Sequence, residues 1–114
     1  MATLADIRRT ALALPGAEEV IWYGAPGFNV GKKTFVCLWG KDGRWIFKLP
    51  DALQLLMFEV RPDVFAPYRA GAMRWSYVDI AALTNAEAKR FVTEAWATVV
   101  AKKISRDLLA EVRR

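Results

Sequence analysis

Between Glu18 and Leu49 apolar residues recur at every second position, and glycine-bearing breaks cut the run into short pieces. A period of two puts alternate side chains on opposite faces of a pleated strand, so this stretch builds sheet and not helix. The pieces are Val20–Tyr23, Phe28–Val30, Thr34–Trp39 and Arg44–Leu49, all rich in the β-branched and aromatic residues that suit a pleated surface. The breaks, Gly24-Ala-Pro-Gly27, Gly31-Lys-Lys33 and Gly40-Lys-Asp-Gly43, are short enough for tight turns. Together they predict an antiparallel meander.

On either side the period changes to that of a helix. Thr3 with Asp6 makes a weak capping box ahead of Leu4, Ile7, Ala11 and Leu14, and Pro15-Gly16 stops that helix. A second helix starts at Pro50-Asp51, with Asp51 and Gln54 in capping-box positions, and runs to Val60 before Arg61-Pro62. Nearly every side chain from Ala52 to Val60 is apolar, so this helix is either covered on both sides or forms a contact surface. Burial under the loop Val64–Tyr68 is the expectation, and a homodimer contact through Leu55 and Phe58 is the alternative. Met73–Ile80 reads as a fifth strand, with Met73, Trp75 and Tyr77 on one side and Arg74, Ser76 and Val78 on the other. Thr84 and Glu87 cap a long helix whose stripe Ala88, Phe91, Val92, Ala95, Trp96, Val99 and Val100 faces a core, with Arg90 and Glu94 paired on its polar side. Lys102 and Lys103 are expected at its end, where cations complement the helix dipole, followed by a basic helical tail from about residue 104. The prediction is a single α+β domain over 1–114, in the order α-β-β-β-β-α-β-α. Its antiparallel sheet has about five strands and carries the helices on one face.

Composition removes most catalytic chemistry. A chain of 114 residues suits one core. Histidine is absent and cysteine occurs once, at Cys37, so no Ser-His or Cys-His pair, imidazole base, His-bearing zinc site or internal disulfide is available. Cys37, in mid-strand between Val36 and Leu38, reads as a small buried hydrophobe. Glu18 and Glu19 point to opposite sides of any strand and make no acid–base pair. The stretch Gly24–Thr34 resembles a phosphate loop only superficially. Pro26 stands where that motif needs glycine, Lys33 stands where it needs serine or threonine, and a strand follows where it needs a helix. The expectation is a non-enzymatic cytoplasmic protein without catalytic residues, metal, cofactor or membrane span.

The formal charge of +5 is the one hint of an acidic partner. Lys32, Lys33 and Lys41 fall on hairpin loops, and Arg44 and Lys48 share the strand face opposite Trp45, Phe47 and Leu49. Consecutive turns of a meander lie at opposite ends of the strand they share, here roughly 20 Å apart, so these cations form a stripe and not a patch. Arg74 extends that stripe. Of five tryptophans, Trp45 and Trp96 read as core, whereas Trp22 and Trp75 are flanked by turns or polar residues. An aromatic pocket around Trp22, Tyr23 and Trp75 for a small molecule is a further alternative.

Leu14-Pro-Gly-Ala-Glu-Glu-Val20, Trp22-Tyr-Gly-Ala-Pro-Gly-Phe28, Val30-Gly-Lys-Lys-Thr-Phe35, Phe47-Lys-Leu49 and Trp75-Ser-Tyr-Val-Asp79 resemble, in order and spacing, the MmcQ/YjbR-like family. The resemblance runs from about Leu4 to Lys103. It implies an α+β fold related to secretion chaperones and frataxin-like proteins, and DNA binding through a double-wing arrangement; because a stripe of cations suits a duplex backbone, double-stranded DNA is the expected partner. The matching wing positions are Lys32, Lys33 and Lys41, with Lys48 as the strand lysine and Trp75 as the late tryptophan. Ala25 departs from the pattern, since many members carry histidine before that proline. The acidic iron-binding ridge of frataxins has no counterpart in this basic chain. The chaperone-like fold implies, as an alternative, a protein-interaction module.

Overall fold

The computed structural model describes residues 1–22, 24–39, 44–68 and 75–113, with the side chains of Trp22 and Trp39 left aside. Along the chain run α1 (Leu4–Leu12), β1 (Ala17–Trp22), β2 (Ala25–Val30), β3 (Lys33–Trp39), β4 (Arg44–Lys48), α2 (Asp51–Val60), β5 (Phe65–Pro67), β6 (Trp75–Val78), a 3₁₀ turn at Ile80–Ala82, α3 (Asn85–Ala97) and α4 (Lys102–Val112). The strands form one antiparallel sheet in the order β1-β2-β3-β4-β6-β5. The α+β class is as the sequence predicts, with six strands instead of about five. The extra strand is the segment expected to be a loop. Phe65, Ala66 and Pro67 pair with Val78, Tyr77 and Ser76 at the sheet edge, where a proline without an N–H is tolerated.

The helices pack on one face of the sheet. Phe28, Val36, Trp45, Phe47, Phe65 and Val78 meet Ile7 and Ala11 of α1, Met57 of α2, and Ala88, Phe91, Val92, Ala95 and Trp96 of α3 in one buried cluster. A bulge in β3 strengthens that face. The register with β2 shifts between Phe28 and Asn29, which sets both Phe35 and Val36 against Phe28 and brings Phe35 into the core. Trp96 is fully buried, and its indole Nε1 donates 2.9 Å to the carbonyl of Pro15, so the turn after α1 is tied to the last core helix. Gly31, at φ 62°, takes the left-handed backbone needed at the head of the two-residue turn that joins β2 to β3 and carries Lys32.

The capping boxes at Thr3/Asp6 and Thr84/Glu87 form as read from the sequence. Hydrogen bonds from the backbone and hydroxyl of Thr3 hold the Asp6 carboxyl below its ordinary pKa, and the Thr84 backbone N–H does the same for Glu87. The third box does not form. Pro50 is the N-cap of α2 and Gln54 turns inward, its Nε2 donating 3.1 Å to the carbonyl of Leu49 while its Oε1 accepts 2.7 Å from the Ser76 hydroxyl. This buried relay ties α2 to the end of β4 and to the middle of β6.

Two further expectations are corrected. α3 ends at Ala97, and Lys102 and Lys103 open α4, so they stand at a helix start and not at a helix end. Glu94 is not on a polar side. Its side chain is 3% exposed and takes a bidentate bond from Arg113 of α4, at 2.6 and 2.7 Å, in place of Arg90. That hydrogen bonding raises the Arg113 pKa above its ordinary value. A buried carboxylate is tolerated only when paired, so this contact anchors the C-terminal helix onto the core.

Gln54→Ala leaves the Ser76 hydroxyl and the Leu49 carbonyl unpaired in the interior and is expected to cost about 2–3 kcal/mol in urea unfolding, against about 1 kcal/mol for Ser76→Ala. Arg113→Ala is expected to cost about 1–3 kcal/mol, discounted because the arginine itself is half exposed, with part of the helical circular dichroism lost as α4 detaches. Unchanged midpoints in either case would show that the contact carries no stability.

Candidate nucleic-acid interface

Strand parity that turns Trp45, Phe47, Ser76 and Val78 toward the helices turns Arg44, Ile46, Lys48, Trp75 and Tyr77 to the opposite face, which receives none of the core helices. Across that face the register aligns Cys37 with Ile46, Ile46 with Tyr77, Tyr77 with Ala66, and Lys48 with Trp75. Tyr68 extends the ladder, its N–H reaching the Trp75 carbonyl, so its ring lies on the same side. Cys37 and Ile46 are buried at the centre of the face. Burial pushes the Cys37 thiol up to about 12, which leaves no reactive thiolate near neutral pH.

Around that centre the face is aromatic and cationic. The Arg44 guanidinium lies 3.7 Å from the centroid of the Tyr77 ring, within cation–π range, and the Tyr68 ring packs 5.3 Å from Tyr77 at 52°. Trp75, Tyr77 and Tyr68 are half-buried, Lys48 is half-buried, and Arg44 is exposed. Arg44 and Lys48 stand four residues apart on β4, about 13 Å, with the rings of β6 and its extension alongside. Beyond Arg44, a surface cleft of about 480 Å³ is lined by Arg44 and Tyr77 together with Asp63 and Asp79. Two carboxylates there repel anions, so of the two ends of β4 the Lys48 end is the more favourable to an anionic chain.

The predicted site residues do not all gather here. Arg44, Lys48 and Trp75 do. Lys32 and Lys33 are exposed at the β2–β3 turn, at the end of the sheet nearer Lys48, but Lys33 pairs with Val30 and shares its helix side. Their stripe therefore reaches the open face only around the sheet end. Lys41 and Arg74 lie outside the described residues. The proposed small-molecule pocket is not formed as a unit: Trp22 is on β1 and Trp75 on β6, four strand spacings apart, about 19 Å, and Tyr23 lies outside the described residues. Tyr68 and Tyr77 are the residues that sequence reasoning passed over. Parity grouped Tyr77 with Trp75, and only the pairing of β6 between β4 and β5 shows that their side is the open one.

The second helix also differs from expectation. Leu55 is 69% exposed, with Leu56 and Val60 exposed beside it, while Phe58 is partly buried against the core. The segment Val64–Tyr68 pairs into the sheet edge and does not cover them. Among the described residues no cluster of three or more His, Cys, Asp or Glu has the arrangement of a metal site, and no helix is long and apolar enough to cross a membrane.

Comparison with solved structures finds the crystal structure of Deinococcus radiodurans protein DR2400, which has a DUF419 domain, superposing with a TM-score of 0.74 over 95% of this chain and 88% of that one at 17% identity. At that identity the likeness is one of fold. No curated protein matches the chain. The YjbR family profile matches residues 12–111, a span that takes in every strand, both hairpin turns of the β1–β3 meander, α2, α3 and most of α4. The chain belongs to the YjbR family.

Proposed function

We propose that this protein is a cytoplasmic, non-enzymatic DNA-binding module that contacts backbone phosphates through Arg44 and Lys48 on the open sheet face, with Lys32 and Lys33 extending the contact around the sheet end. The observation that carries the reading is the character of that face. The solvent side of an antiparallel sheet is ordinarily polar and unspecialised, whereas this one sets two cations about 13 Å apart on one strand beside a cluster of aromatic rings. That interval is about four base steps along a duplex axis. The net charge of +5 and the DNA binding that the sequence resemblance implies point the same way. Among the described residues no basic helix faces the same side, so binding is expected to be insensitive to sequence.

The α2 surface supports a second reading, homodimerisation. Leu55, Leu56 and Val60 form an exposed apolar row on a helix whose other side is held by Gln54 and Met57. Exposed leucines on one helix face are typical of a contact with another chain.

Titration of a labelled duplex by fluorescence anisotropy tests the first reading. With about three phosphates neutralised, affinity is expected to fall by about 40-fold for a fourfold rise in salt. Arg44→Ala and Lys48→Ala are each expected to lower the salt slope by about 1. Absence of binding at low salt, or an unchanged affinity when Lys32, Lys33, Arg44 and Lys48 are all alanine, would overturn it. Size-exclusion chromatography with light scattering tests the second. A dimer that Leu55→Glu converts to a folded monomer supports it, and a wild-type monomer at high protein concentration rules it out.

A further inference from the structure

We infer that the open sheet face is built to stack unpaired bases, so that its preferred partner is single-stranded DNA and not the duplex. The inference rests on the DNA-binding reading and narrows it.

The argument begins with what phosphate contact alone requires. Cations suffice to hold a duplex backbone, and aromatic rings add nothing to it, because the bases of a duplex are stacked on one another and present only their edges. A single strand is different. Its bases have free π-faces, and proteins that hold it combine a cationic track with exposed rings at successive positions.

The face supplies both. Trp75 and Tyr77 stand two residues apart on β6, pointing the same way, and Tyr68 pairs alongside Trp75 on the extension of β5. These three rings lie, half-buried, on the side of the sheet opposite the one that holds the core. The Arg44 guanidinium lies over Tyr77 at 3.7 Å, and Tyr68 packs against the same ring at 5.3 Å, so guanidinium, phenol and phenol form one continuous surface before any ligand arrives. A guanidinium plane held on a ring is itself a platform for a base. Lys48, paired with Trp75, is placed for a phosphate next to a base stacked on the indole. The cationic ends match the charge of the strand and the rings match its bases.

The experiment is an anisotropy titration at one salt concentration with a labelled oligo(dT), a duplex of the same length and an oligo(U). Single-stranded DNA is expected to bind at least tenfold tighter than the duplex. Trp75→Ala is expected to weaken the single strand by about tenfold or more while leaving the duplex within about twofold, and Trp75→Phe, which keeps a ring, to restore most of the loss. Thermal melts confirm that each variant is folded. Tyr68→Leu, at the sheet edge, is a second variant expected to act in the same direction with less risk to the fold. Duplex bound as tightly as single strand, or a folded Trp75→Ala and a folded Tyr68→Leu that both bind oligo(dT) like wild type, would overturn the inference while leaving phosphate binding intact. Tighter binding of oligo(U) would overturn the assignment to DNA. Absence of binding to all three probes would overturn the DNA-binding reading itself.

Discussion

The structure depends on the contact between the α3 stripe and one face of the sheet, with Trp96 at its centre. Buried aromatic and branched side chains are the largest stabilising term available to a chain of this length. Here they converge from α1, α2, α3 and five of the six strands onto one cluster. Trp96 is held in place by the carbonyl of Pro15, a residue 81 positions away, which joins the start of the chain to its last core helix. The apolar side chains of α1 and α3 and the inner side of α2 are used on that one face, so the other face of the sheet receives none of the core helices. That face and the exposed α2 row are the surfaces proposed for a partner.

The secondary polar contacts refine this arrangement. Gln54 and Ser76 satisfy one another inside the helix layer, so α2 is located by hydrogen bonds on its inner side while Leu55, Leu56 and Val60 remain outside. Glu94 and Arg113 hold α4 against α3 in the same manner, a buried carboxylate matched to a planar donor. Each polar pair sets the position of a helix whose apolar face alone is too short or too uniform to define it. The consequence for function is that both outer surfaces, the open sheet face and the α2 row, are carried by elements fixed from the inside.

Much of this was legible in the residues. The period-two run from Glu18 to Leu49 announced the meander, glycine marked its turns, and the Thr84/Glu87 box with the stripe behind it announced α3. Three places where reading failed share a cause: the partner that decides the structure lies elsewhere in the chain. Gln54 looked like a capping residue because its spacing from Asp51 fits, yet its bonds go to Leu49 and Ser76. Glu94 looked solvent-facing because Arg90 sits one turn away, yet Arg113 claims it. Phe65–Pro67 looked like a loop because a proline-containing segment of three residues has no period to read, and its strand exists only through pairing with β6.

By itself, then, the sequence determined the α+β class, the meander, the two working capping boxes, the exclusion of histidine and multi-cysteine chemistry, and the parity that puts Arg44 and Lys48 on one side of β4. These are local properties, set by backbone geometry and by neighbours a few residues apart. Only the tertiary structure decided which side of the sheet the helices cover, that β6 lies between β4 and β5, and therefore that Tyr68, Trp75 and Tyr77 stand beside those cations on the face opposite the helices. Strand order and facing are settled by which apolar surfaces bury one another across the whole chain, and no local pattern encodes that sum.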